Sequence, residues 1–450
     1  MNRLGFHYFP DAEHYRQQDL TTWLPRLQAL GAGWVTLRSS SQRAIPEFFL
    51  RGLLEAGLRV VVHLPLQLCD DSPDLKPILD AYAQWGVKHV LLFERPNLRS
   101  AGDDAAAWLE INPVSRFVQR FLPLAQQVCD LGMQPVTPPL QPGGNYWDTA
   151  FLRAALAEIA AKAPALVDTL AIGLLAHAGE HPLDWGAGGP ERWPEAHPYY
   201  VPPNAQDQRG FAIFDWYNAI AQAVCNRRLP LLAFEAGSPG GWASPVADGA
   251  LDEAAHRERT LRLMQAVDAP ETSFPGLPEL PENLLVCHFL AVADDLPHAC
   301  YTPDGQPSAL GAVRLKQPRP AKKSSPQDVP HQPPAAPGEH PLGHYILLPP
   351  ASRQGTAWQQ AILPALLRIG ATIGFSPREA ALARQVTILA EEQKIPEDMV
   401  QKLRARGCRV VVLNGSGTEL AHFLMETLSP AGLQPASASR PIPIPGENTP

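Results

Sequence analysis

The chain has 450 residues, longer than one ordinary domain, with 45% hydrophobic and 18% charged residues, a globular composition with room for a sizeable core. Its net charge of −8 and pI near 6.0 give no basic field to neutralise phosphates, which argues against nucleic acid or an anionic membrane as the main partner and leaves a small polar ligand open. The opening MNRLGFHYFPDAEHY lacks a basic segment followed by an apolar one, and no apolar run approaches the roughly 18 residues of a membrane span, so a cytoplasmic protein without such a span is expected.

In chain order, short apolar or β-branched runs alternate with longer amphipathic ones. Strands are expected at 3–8, 33–37, 59–63, 89–93, 134–137, 169–174, 230–234 and 284–290, and helices at 22–30, 46–56, 75–85, 114–131, 149–161, 211–226 and 253–267. Gly31, Gly57, Gly86 and Gly132 each stand where a helix gives way to a strand, the place for a residue tolerant of positive φ. Eight such units predict an α/β fold, a (β/α)8 barrel over residues 1–316.

Residues 317–341 are Pro-rich and nearly free of large apolar side chains, which predicts an extended linker. Placing it accounts for part of the 49 prolines, about twice the usual share of roughly 5%. Strand and helix patterns resume over 342–429, enough for a small α/β accessory domain whose partner the sequence does not identify. Residues 430–450 have the composition of a disordered tail.

The cysteines Cys69, Cys129, Cys225, Cys287, Cys300 and Cys408 are scattered, without a CxxC pair, and imply no metal site. His7, His63, His177 and His288 lie near strand ends but form no HxH pair, and core hydrogen-bonding roles are expected for them. Neither GxGxxG nor GxxxxGK[ST] occurs, so no nucleotide cofactor is expected.

In a barrel of this class, chemistry sits at the carboxyl ends of the strands. There the sequence places His7 and Tyr8, Arg38, His63, then Glu94, Arg95 and Asn97, then His177, and finally Glu235. Glu94 in HVLLFERPN and Glu235 in PLLAFEAGS each end an apolar strand, where a charge is costly unless used or paired. Two carboxylates facing across a cleft are what glycoside hydrolysis needs, one as proton donor and one as nucleophile or base. Pairing with strand-end cations is the alternative.

These segments resemble clan A glycoside hydrolases, which carry an Asn-Glu-Pro acid/base motif after strand four and a nucleophilic Glu after strand seven. The resemblance spans most of residues 3–315, through GAGWV, FERPNL, LPLLAFEAG and YTPDGQPSALGAV. It implies a nucleophilic or charge-stabilising role for Glu235; Glu94, which falls on the family's Asn, is the candidate acid/base if reoriented, and Asn97 beside it a candidate sugar-hydroxyl contact. The departure is Arg95, which falls on the position of the acid/base Glu and, as a permanent cation, cannot donate a proton there.

After strand six comes a long segment, HAGEHPLDWGAGGPERWPEAHPYYVPPNAQDQRG, dense in aromatic residues. Long loops in compact domains are commonly functional, and flat rings suit the apolar faces of sugars. Trp185, Trp193, Tyr199 and Tyr200, with His177 and Trp242 on the same rim, are therefore candidate glycan contacts, Asp184, Glu191, Asn204 and Asp207 are possible hydroxyl acceptors, and a self-packed lid is the alternative.

Two functions follow. In a carbohydrate-active hydrolase, Glu94 points into the mouth about 5 Å from Glu235 for retention or roughly 6.5–9.5 Å for inversion. In a catalytically degenerate glycan-binding or scaffold protein, Arg95 occupies the mouth and pairs with Glu235.

Overall fold

The computed structural model describes residues 2–68, 74–99, 112–237, 253–269, 274–293, 299–317, 340, 342–348, 362, 371–374, 377–390, 397–415 and 419–421. Most of the 317–341 linker, the 430–450 tail and Trp242 lie outside them.

Eight parallel strands close a barrel: β1 (Leu4–His7), β2 (Trp34–Arg38), β3 (Arg59–Leu64), β4 (His89–Leu92), β5 (Gln134–Thr137), β6 (Ala171–His177), β7 (Leu231–Gly237) and β8 (Leu284–Val292). Each pairs with the next, and β1 with β8 through registers such as Phe6↔Phe289 complete the ring. Around it run α1 (Gln17–Leu30), α2 (Glu47–Glu55), α3 (Lys76–Gln84), α4 (Pro113–Asp130), α5 (Asp148–Lys162), a short α6 (Gly189–Arg192), α7 (Ile213–Cys225), α8 (Glu253–Asp268) and α9 (Ala309–Lys316). The expected (β/α)8 barrel is the observed fold.

Gly31, Gly57, Gly86 and Gly132 have φ of 88°, 79°, 91° and 72°, the left-handed helix stops expected of them. Helix α1 begins at Gln17, five residues before its expected start at Thr22, with Asp19 bonding back to the Arg16 backbone N–H and Pro25 accommodated within it. A ninth strand, β9 (Ala299–Tyr301), pairs with β8 and was not expected; three residues are too few to carry a periodicity.

Side chains alternate along each strand. Trp34, Val61, Leu91, Val136, Ala171, Leu175, Leu232, Phe234 and Val286 fill the barrel interior, while their neighbours Val35, Val60, Val62, Val90, Leu92, Ile172, Leu174, Leu231 and Ala233 pack outward against the helices. Above the apolar interior lies a polar layer at the carboxyl ends of the strands.

The C-terminal region has a second parallel sheet of β10 (Leu342–Leu347), β11 (Thr372–Gly374), β12 (Ala383–Ala390) and β13 (Arg409–Asn414), in the order β11-β10-β12-β13. Helices α10 (Pro377–Ala380) and α11 (Glu397–Ala405) accompany it. Phe48 of α2 packs against the cluster of Leu342, Tyr345 and Val386, and Arg43 forms a backbone bridge with Gly374. Among the described residues, no helix is long and apolar enough to cross a membrane.

Candidate functional site

Strict alternation would turn Glu235 outward, because Phe234 fills the interior. A β-bulge reverses it. Between the pairs Leu175↔Phe234 and His177↔Gly237, β6 advances from 175 to 177 while β7 advances from 234 to 237, so β7 carries one extra residue. Glu235 takes a left-handed backbone, φ 59°, and Ala236 joins the outward core in its stead. The carboxylate therefore enters the barrel mouth, 7% exposed.

Left-handed residues also redirect the chain just after β4. Phe93 (φ 67°) is turned outward, where its ring meets Phe117 at 5.9 Å, and Arg95 (φ 43°) is left-handed as well. A left-handed backbone costs a residue with a Cβ roughly 1–2 kcal/mol. Such cost is retained where the surroundings enforce it, typically at functional sites.

The result is a buried ion pair. Arg95 Nη2 donates to Glu235 Oε1 at 2.7 Å, and His177 Nε2 lies 3.0 Å from Glu235 Oε2, so both carboxylate oxygens are engaged. Arg95 is 6% exposed, and its Nη1 also reaches Gln141 Oε1 at 3.3 Å. Glu94 is engaged by a different cation: Arg38 Nη2 donates to its Oε2 at 3.0 Å. Tyr15 fixes Arg38 in turn by donating its hydroxyl proton to the Arg38 carbonyl at 2.6 Å.

Three histidines line the layer beneath. His288 stacks on Phe234 with centroids 5.1 Å apart and is bonded through Nε2 to Thr36 Oγ1 at 3.0 Å and through Nδ1 to the Ala233 carbonyl at 3.1 Å. His7 sits 5.3 Å from His288, ring to ring, and His63 Nε2 donates to the Phe93 carbonyl at 3.0 Å. Burial pushes all three below the usual histidine range, His63 and His288 to about 3, with neighbouring Arg38 and Arg95 adding to the depression at His7 and His63. At neutral pH they are uncharged.

Asn97, fully buried, braces the loop after β5. Its Nδ2 donates to the carbonyls of Gln141 and Tyr146, each at 2.9 Å, and its Oδ1 accepts the Gln141 N–H at 2.9 Å. Gly144 makes room for it, since a Cβ there would fall 2.5 Å from Asn97 Nδ2.

The aromatic residues after β6 divide. Trp185 stacks on His181 at 4.1 Å and donates its indole N–H to Asp207, while Trp193 donates to the Ala187 carbonyl and packs on the core, so both serve the loop's own packing. Tyr199 and Tyr200 are each 62% exposed, and Tyr199 lies beside Trp147 and Tyr146 from the loop after β5. Among the described residues, no group of three or more His, Cys, Asp or Glu could hold a metal ion.

Sequence reasoning placed Arg38 at a strand end without assigning it a role, and expected only core hydrogen bonding of His7 and His63. It missed Gln141, Tyr146 and Trp147, which lie in a loop of Pro, Gly and Asn whose only signal is two aromatic residues before a helix.

No protein-family model and no curated protein matches the chain. Among solved structures, it is similar to a Bacteroidetes-affiliated GH5 cellulase linked with a polysaccharide utilization locus, at 11% identity and a TM-score of 0.40, covering 70% of this chain and 90% of that one. It is also similar to an L-ribulose 3-epimerase, at 14% identity and a TM-score of 0.29 over 57% of this chain and 86% of that one. A D-psicose 3-epimerase solved in the presence of D-fructose shows 13% identity and a TM-score of 0.31, over 59% and 98%.

Proposed function

We propose that the barrel mouth is a glycan-binding site that holds a neutral sugar without hydrolysing it. The observation that carries this reading is the Arg95–Glu235 pair at 2.7 Å. Arg95 stands where hydrolysis would require a proton donor, and a guanidinium does not release its proton at neutral pH. Glu94, the other carboxylate, is directed to Arg38. General acid help typically accounts for a factor of about 10² to 10⁴, so a mouth without it binds far better than it turns over.

The charge balance supports a neutral ligand. Arg38 and Arg95 are matched by Glu94 and Glu235, and His7, His63 and His288 are uncharged. Sugar hydroxyls both donate and accept, and so can meet carboxylates and guanidinium groups alike. In this reading the 1–316 barrel is the binding unit and the 342–429 module, joined through the 317–341 linker, engages a separate partner.

The test is a panel of activated aryl glycosides, with thermal unfolding of the protein in the same sugars followed in parallel. Sugar-dependent stabilisation without turnover is expected, because a ligand held only by the folded state raises its apparent stability. Turnover that disappears in both Glu235→Gln and Glu94→Gln would replace this reading with a two-carboxylate hydrolase. Neither signal would remove carbohydrate from consideration.

A further inference from the structure

At the rim of the mouth, one aromatic side chain is held in an arrangement that folding alone does not favour. His197 and Tyr200 exchange backbone hydrogen bonds of 3.0 and 3.1 Å around a two-residue turn, Pro198–Tyr199. Tyr199 has φ 67° at the second central position, a place where a turn with proline before it ordinarily takes Gly. A bulky residue there is a genuine outlier. The residue is nevertheless 62% exposed, so apolar burial offsets little of the cost.

The ring is also fixed in place. It meets Trp147 at 5.8 Å between centroids and Tyr146 at 6.5 Å. Trp147 is held in turn by the Arg209 guanidinium, 5.4 Å from its ring centre. The platform belongs to the same loop as the mouth, because Asn97 bonds both Gln141 and Tyr146 and Gln141 reaches Arg95. A strained, braced and solvent-facing ring joined to the polar layer of the barrel mouth has the form of a preorganised stacking surface.

We propose that Tyr199, seated on Trp147 and Tyr146, is a stacking platform for the outer rings of a neutral oligosaccharide whose first ring occupies the barrel mouth. This rests on the glycan-binding reading above and adds to it a ligand class: chains of several sugars in preference to single ones. The outer rings present apolar C–H faces to the platform and need no charge partner there. Selectivity for length then comes from the rim and not from the ion pairs.

The experiment is calorimetric titration of the full-length protein with glucose and with cello- and malto-oligosaccharides of two to five units. Affinity in one series is expected to rise about tenfold from the single sugar to the longer chains, the scale of one aromatic stack. In Tyr199→Ala that ratio of affinities is expected to fall to near one, while Tyr199→Phe, which keeps the ring, preserves it. Binding of glucose with no gain for longer chains, or an unchanged ratio in Tyr199→Ala, would overturn the platform and leave the mouth as a single-sugar site. Absence of binding by every sugar in both series would overturn the platform together with the glycan-binding reading.

Discussion

Arg95, at the turn after β4, and Glu235, on the bulge of β7, meet at 2.7 Å and so tie together two strands that have β5 and β6 between them. Both side chains are buried, and removing one partner strands a charge in a low-dielectric setting. Arg95→Met should therefore lower unfolding stability by about 3–5 kcal/mol. Adding Glu235→Gln should recover part of that loss, since the orphaned charge is then gone. Urea unfolding of the two single variants and the double variant measures the coupling directly.

Asp148, at the start of α5, should make stability depend on pH. It is fully buried, accepting from the Gly143 N–H at 2.9 Å, the Gln208 amide at 2.7 Å and the Tyr217 hydroxyl at 3.3 Å. Burial raises its carboxyl from 3.8 to about 6, against the opposing effect of those donors. A raised carboxyl favours the folded state while protonated, below about pH 4, and that contribution is lost as pH rises through about 6. Asp148→Asn should thus gain stability relative to the native chain across this window, by about 3 kcal/mol at full extent. Denaturant midpoints at pH 4 and pH 7 give the sign, and equal differences at the two pH values would rule the effect out.

Tyr199 offers a reversal of the usual rule for glycine. In ordinary helix or strand positions, Gly is less stable than Ala by roughly 0.5–1 kcal/mol. At φ 67° the order should invert, with Tyr199→Gly about 1 kcal/mol more stable than Tyr199→Ala. Thermal unfolding of the pair decides it.

Gly173, on β6, has no space for a side chain. A Cβ there would lie 2.4 Å from the Thr137 carbonyl oxygen and 3.2 Å from the Pro139 nitrogen, at the root of the loop that carries Gln141 and Trp147. Gly173→Ala should cost about 1–3 kcal/mol by overpacking. It should also weaken sugar binding by displacing that loop. Stability loss with unchanged affinity would show that the loop keeps its position independently of β6.

Helix stops at Gly31, Gly57, Gly86 and Gly132 and eight apolar runs made the barrel legible in the sequence, because helix caps and strand burial are local properties. The orientation of Glu235 was not legible in the same way. LLAFEAG reads as an unbroken strand, and a single extra residue shows only against the register of β6. The encounter of Arg95 with Glu235 was one of two geometries that FERPN allowed, and a separation of 140 residues leaves no trace of the contact in spacing. Asn97 was read as a sugar contact from its place in the turn, yet its amide is bonded to loop backbone that lies 44 and 49 residues further along the chain. Among the aromatic residues after β6, density indicated packing or occupancy, and only the fold separates the inward indoles of Trp185 and Trp193 from the outward rings of Tyr199 and Tyr200.

The bulge in β7 also bears on how such a site can change over time. The surplus residue lies between Phe234 and Gly237, beyond the residues Leu231 to Ala233 through which β7 pairs with β8, so neither that pairing nor the closure of β8 on β1 involves it. The side chain aimed into the mouth is thereby uncoupled from the threading of the rest of the ring. Substitutions at position 235 can alter ligand chemistry one residue at a time on a constant scaffold, whereas a one-residue slip in an unbulged strand would invert every side chain along it.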